Sequence, residues 1–147
     1  MNVIHLKKGY SPPIAGAPAT RLHTLDLPRH VGMAPEQIPF VKPRLLVEMG
    51  DRVAIGSPLF EDKRDTRIRF VSPGGGRITA IDFGPRRVLR KIAITLDAEE
   101  RCHTVDVPPA DRWDALSRQR LVEILLAGGL WPFLRALPFL DIADPDG

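Results

Sequence analysis

At 147 residues the chain is long enough for one domain, alone or with an appendage, and its 44% hydrophobic content is enough for a core. Fifteen prolines and twelve glycines favour short strands and turns over long helices. The net charge of +3, from 21 Lys and Arg against 18 Asp and Glu, is too small and too spread out to single out nucleic acid as a partner.

Near the N-terminus, Val3 to Leu6 suits one short strand, ended by Lys7-Lys8-Gly9. Residues 11–20, SPPIAGAPAT, hold three prolines and a glycine and read as a surface-hugging arm without regular structure. MNVIHLKKGYSPP has no apolar run of signal-peptide length. Leu22, Leu25 and Leu27 alternate imperfectly with polar residues, which predicts a strand over Arg21 to Leu27, ended by Pro28. Pro35, Pro39 and Pro43 forbid a helix in the next segment, and Pro39 to Val47 should run extended into the centre of the chain.

Val47 to Asp82 is the organising stretch. Its turns are marked by Gly50-Asp51, Gly56-Ser57 and Pro73-Gly74-Gly75-Gly76, which predicts paired β-hairpin halves. Ile68 and Phe70 alternate with Arg67 and Arg69, a strand period of two. Arg86 to Leu96 follows as a further strand, with Val88, Ile92, Ile94 and Leu96 mostly on one face. Arg86, Arg87, Arg90 and Lys91 form the densest basic cluster. It could meet phosphate or an acidic partner, or be a strand edge kept soluble by its charges. Asp97 to Arg101 reads as a charged turn and Cys102 to Val107 as a last strand or extended segment.

From Asp111 the spacing becomes helical, through Trp113, Leu116, Val122, Ile124, Leu125 and Leu126. Ser117 is the expected N-cap and Gly128-Gly129 the C-terminal stop. Leu130-Trp131-Pro132 should open a second short helix reaching about Leu137, and Asp141 to Gly147 reads as a polar linker. The expected organisation is a β domain over 1–107, a helical appendage over 108–140 and a linker over 141–147. Residues 121–140 are apolar enough to suggest a membrane span, but Glu123, Gly128-Gly129, Pro132 and Arg135 break them. Trp131, Phe133 and Phe139 are candidates for a partner-facing or membrane-surface patch.

The candidate chemistry is sparse. Gly74-Gly75-Gly76 could cradle phosphate, but a strand follows it and no Gly-Lys-Ser/Thr, so a turn needing positive φ is expected. His5, His23, His30 and His103 are scattered, and no metal site is expected. Cys102, the only cysteine, excludes an internal disulfide and, as a buried-type thiol, suits a reducing cytoplasm. Cys102 and His103 are adjacent, so on a strand they face opposite ways and make no nucleophile–base pair. In Glu61-Asp62-Lys63 the lysine either presents a swinging cofactor or is a turn residue held by two carboxylates. Asp26, Asp82 and Asp97 have no partner legible in the sequence, and no catalytic constellation emerges.

Val47, Gly50, Asp51, Val53, Gly56 and Leu59 spell V-x-x-G-D-x-V-x-x-G-x-x-L, and SPGGGRITAI follows at 72–81. This is similar to the barrel-sandwich hybrid fold of biotinyl and lipoyl carrier domains, which implies a mainly β fold of two four-stranded sheets. The biotinyl Met-Lys-Met is absent, while Lys63 falls near the lipoyl-lysine region. A wider set of pieces resembles the amino-terminal part of the A subunit of the Na+-translocating NADH:quinone reductases, a family related to RnfC. These pieces are Ile14-Ala15-Gly16, Val31-Gly32-Met33, VEMGDRVAIGSPLFEDK, VSPGGGRITAI, Arg87-Val88-Leu89, LSRQRLVEILLAGGLW, Leu134-Arg135 and Pro138-Phe139. The resemblance implies a barrel-sandwich hybrid with a C-terminal pair of short helices, in a peripheral subunit on the cytoplasmic face of the inner membrane. It implies a complex that uses NADH, flavins, an iron–sulfur centre and ubiquinone, held mainly by other subunits, with any ubiquinone contact made by the longer subunit. For this segment no bound cofactor, nucleic-acid partner or transmembrane helix is expected, and its role would be docking to the other subunits. A carrier domain with Lys63 modified, and a stand-alone binding module, remain as alternatives.

Overall fold

Short strands punctuated by proline and glycine make up most of the architecture. The computed structural model describes residues 9, 13, 15–17 and 19–147. The strand expected over Val3 to Leu6, together with His5 and Ile14, lies outside them. The strands are β1 (His30–Met33), β2 (Pro43–Leu45), β3 (Arg52–Val53), β4 (Pro58–Asp62), β5 (Arg69–Val71), β6 (Gly76–Phe83), β7 (Leu89–Leu96), β8 (Arg135–Ala136) and β9 (Asp141–Ile142). The single α-helix among the described residues is α1 (Arg118–Ala127).

Two antiparallel sheets enclose the core. One has four strands in the order β1-β7-β6-β3, the other three in the order β2-β4-β5. This is the barrel-sandwich hybrid expected, except that the second sheet has three strands and not four. Leu59, Phe60, Ile68, Phe70, Ile78, Leu89, Ile92 and Ile94 are buried between the sheets. Phe60 and Phe70 stack with ring centroids 4.5 Å apart. The period of two holds at Ile68 and Phe70, which point inward while Arg67 and Arg69 stay exposed. It fails on β4, the middle strand of its sheet, where Leu59, Phe60, Glu61 and Asp62 are all buried.

The glycine triplet is not a hairpin turn. It carries the chain from β5 in one sheet to β6 in the other. None of the three is among the positive-φ glycines, whereas Gly50 and Gly56 are, at φ 91° and 85°. The triplet is needed for close approach: a Cβ on Gly76 would lie 2.0 Å from the Thr95 carbonyl oxygen, and one on Gly74 would lie 2.4 Å from Leu96 Cδ2.

Other expectations are corrected by the packing. Residues 21–27 form no strand, and Leu22, Leu25 and Leu27 are exposed. Leu22 is an odd number of residues from Leu25, so the three cannot share a strand face. The sheet edge is taken by β1 instead, paired with β7 from His30↔Thr95 to Met33↔Ile92. The strand expected from Arg86 begins only at Leu89, because residues 85–87 form a tight turn with Arg86 and Arg87 at positive φ. A register shift beside Phe83 then turns Leu89 inward and leaves Val88 exposed.

The helix expected from Asp111 is split. Ala110–Ala115 is a 3-10 turn, and α1 begins after Ser117. Ser117 caps α1, its side chain accepting from the Arg120 N–H at 3.2 Å. The cap itself needs extended backbone (φ −68°, ψ 151°), so a helix cannot run through it. Gly129, at φ 66°, stops α1 as expected. The second helix is a single 3-10 turn, Trp131–Phe133, shorter than read. Pro138 bars helical backbone at Leu137, and the chain forms the β8–β9 ribbon.

Residues 141–147, read as a polar linker, lie against the β4–β5 loop. Ile142 is buried. Arg64 donates to Asp62 (2.7 Å) and to Asp141 (3.1 Å), and Arg67 donates to Asp65 (2.6 Å) and Asp146 (2.7 Å). The Arg67 bonds hold Asp65 and Asp146 below the usual carboxylate range, and the Arg64 bonds do the same for Asp141. Depressed carboxyls stabilise the fold fully above their ordinary value of about 4 and lose that contribution as pH falls through their folded values. The tail should therefore hold between about pH 7 and 5 and release below about pH 4, before the sheets unfold. Trp131, whose Nε1 donates to the Ala143 carbonyl at 2.8 Å, reports the event. In a Trp113→Phe background its emission should shift red below about pH 4 while β circular dichroism persists. Emission that stays blue to about pH 2 would mean that apolar packing alone holds the tail.

Candidate functional site

The central charged trio is divided by the strand pairing. Glu61 and Asp62 lie on β4 at 2% and 1% exposure. Across the three-stranded sheet, Arg44 on β2 and Arg69 on β5 both sit opposite Glu61. Arg44 Nε donates to Glu61 Oε1 at 2.6 Å, and Arg69 Nε lies 3.9 Å from Oε2. Asp62 accepts from the Arg64 side chain and, at 3.0 Å, from the Arg64 backbone N–H. The two carboxylates thus hold arginines. Lys63, expected between them, is exposed at the start of the β4–β5 loop, and its backbone N–H donates to the Lys42 carbonyl at 2.8 Å. A buried carboxylate requires such partners. No local pattern names them, because Arg44 is 17 residues away from Glu61 along the chain.

The other singled-out residues stay apart. His30 Nδ1 is 3.0 Å from Thr95 Oγ1. Cys102 is exposed, contrary to the buried thiol expected, and forms an isolated bridge with Ile55. Its neighbour His103 bonds Ile55 through its backbone, at 2.7 Å. Among the described residues no three His, Cys, Asp or Glu side chains gather as metal ligands would. Asp82 faces Lys91 across β6–β7, and Asp97 lies 3.8 Å from Arg52, so both have neighbours that the sequence did not reveal. Arg90, from the basic cluster, bonds Glu36 at 3.0 Å.

What the fold does bring together is an apolar surface over residues 130–140. Trp131 is 6% exposed and seats the segment on the core. Phe133 and Phe139 are each 78% exposed and Leu137 is 82% exposed, with Leu130, Leu134 and Leu140 also exposed. Of the three aromatics expected to form a patch, two face outward and Trp131 anchors them. Aliphatic and aromatic side chains in one short stretch left this open mark an interaction surface more often than an ordinary exterior. Among the described residues no helix is long and apolar enough to cross a membrane. Residues 121–140 are divided between α1, a 3-10 turn and a β-ribbon.

Residues 4–97 match the family described as NqrA N-terminal barrel-sandwich hybrid domain. Over 144 residues the chain is 36% identical to the A subunit of the Na(+)-translocating NADH-quinone reductase of Pseudomonas aeruginosa (strain UCBPP-PA14), covering 98% of this chain and 32% of that protein. The proteins of the same name from Yersinia pestis (36% over 143 residues) and Serratia proteamaculans (37% over 145 residues) are matched over 97% of this chain and 32% of theirs. The chain thus spans about a third of the length of the curated relatives it matches, and the match takes in α1 and the apolar surface as well as the sheets.

Proposed function

The chain belongs to the family of NqrA N-terminal barrel-sandwich hybrid domains, and from that membership we propose that it is a structural and docking domain of a peripheral subunit of a Na+-translocating NADH-quinone reductase. In this reading the complex couples NADH oxidation and ubiquinone reduction to Na+ export. The domain fastens its own polypeptide to the other subunits on the cytoplasmic face of the membrane.

The redox groups belong elsewhere in the complex. Cys102 is the only cysteine of this chain, so it cannot supply the thiolates of an iron–sulfur cluster. Gly74–Gly76 packs on the Leu96 and Val31 side chains and on the backbone of β7 and Arg101, a close approach that explains the glycines without a nucleotide.

The apolar surface over 130–140 carries the reading. The domain has a closed core of its own and still leaves Phe133, Leu137 and Phe139 in water. Replacing both phenylalanines by aspartate in the full-length protein, expressed with the remaining subunits, should lower its recovery with the purified complex about tenfold or more. The thermal unfolding of this domain should not change, because neither side chain is buried. Leu22→Asp, still more exposed but outside the stretch, should leave recovery intact. Undiminished recovery of the double variant would remove the docking role.

A further inference from the structure

We infer that the cleft between β2, the start of the β4–β5 loop and the β6–β7 turn is an anion site that takes a phosphate-bearing ligand. The cleft has a volume of about 490 Å³, within the size range of small-molecule sites. Lys42, Arg44, Lys63, Arg86 and Arg87 line it, and no aspartate or glutamate does. Its remaining wall is apolar, from residues such as Val41, Leu45 and Leu89. Cations of one sign around a low-dielectric wall focus their field into the space between them.

What marks the cleft is that four cations without a carboxylate partner among the described residues line one space. Arg52, Arg64, Arg67, Arg69 and Arg90 each meet a carboxylate. In the cleft only Arg44 does so, with Glu61. Lys42, Lys63, Arg86 and Arg87 form no salt bridge with any described residue. The backbone at the turn points the same way. Arg86 and Arg87 are consecutive left-handed residues, at φ 57° and 58°. A hairpin turn of that shape ordinarily takes asparagine and glycine. Two arginines there give up local stability, and what they add is a pair of guanidinium-bearing residues lining the cleft, a group suited to bidentate phosphate binding.

The test uses the full chain, with inorganic pyrophosphate as the soluble probe and phosphatidylcholine vesicles, with and without phosphatidylglycerol, as the lipid probe. The native chain should bind at least one of them saturably at low salt. Arg86→Gln with Arg87→Gln should weaken binding about tenfold or more, and so should Lys42→Gln with Lys63→Gln. The charge-matched control Arg21→Gln with Arg112→Gln, both exposed and outside the cleft, should bind as the native chain does. Thermal unfolding checks that each variant is folded. Binding of pyrophosphate without vesicles identifies a soluble phosphate compound. Binding confined to phosphatidylglycerol vesicles identifies a lipid headgroup. The proposal is overturned if neither probe binds, if the control weakens as much as the cleft variants, or if polyglutamate competes as well as pyrophosphate does. None of these substitutions touches residues 130–140, so the result stands apart from the docking experiment.

Discussion

Gly76→Ala is expected to destabilise the domain by about 3 kcal/mol or more in urea unfolding. The added Cβ would lie 2.0 Å from the Thr95 carbonyl oxygen and 2.9 Å from Leu96 Cα, both backbone atoms of β7. Gly76 is also paired on its other side with Val53 of β3, so β6 cannot shift away without breaking one ladder or the other. Two neighbouring glycines calibrate the effect. A Cβ on Gly74 would strike the ends of the Leu96 and Val31 side chains, at 2.4 Å and 2.9 Å, and those can rotate aside. Gly50 has open space but sits at φ 91°, so Gly50→Ala should cost only the left-handed strain, about 1–2 kcal/mol. If Gly76→Ala proved no worse than Gly50→Ala, the triplet would be an ordinary turn after all.

Phe60→Ala should cost about 3–5 kcal/mol. Phe60 is fully buried on β4 and stacks on Phe70 with the ring planes 6° apart, so truncation removes a ring from the centre of the core. The sheet on each side is pinned by its ladders and cannot collapse into the space. The loss is a large part of the about 5–15 kcal/mol that holds a domain of this kind together. Phe60→Leu should recover most of it. Phe83→Ala, at a half-exposed position on β6, should stay within about 0.5 kcal/mol of the parent. Equal effects at Phe60 and Phe83 would place the core wrongly.

The difference between these positions is only partly legible in the sequence. Ile68 and Phe70 announce their burial by alternating with arginines. Gly50 and Gly56, at their fixed places in the V-x-x-G-D-x-V-x-x-G-x-x-L pattern, are turns with positive φ. Ser117 and Gly129 mark the two ends of α1 as their chemistry requires. These signals work because they act over one to four residues, within reach of the same local backbone.

The candidate sites are less legible. Trp131, Phe133 and Phe139 stand close together along the chain, but which of them faces outward depends on Trp131 finding the Ala143 carbonyl across the β-ribbon. Arg86 and Arg87 register in the sequence as charge, and Lys63 as a tip lysine. Nothing in the spacing places them with Lys42 in one cleft, since β2, the β4–β5 loop and the β6–β7 turn meet only when the two sheets pack.

By itself, then, the sequence determined the kind of fold: short strands, Gly-punctuated turns, a helix capped at Ser117 and no long apolar span, although it also promised a second helix that the structure reduces to a 3-10 turn. It also carried the family, through motifs whose glycines and apolar positions are read one by one. The tertiary structure alone decided what those residues were for. Gly76 is small because β7 passes against it, Glu61 is tolerated inside because Arg44 and Arg69 stand opposite, and the tail is held because Arg64 and Arg67 reach it. Each of these depends on strand register and sheet packing between residues far apart in the chain. Local propensity carries no record of such distances; they arise only when burial of the shared core sets the sheets in place.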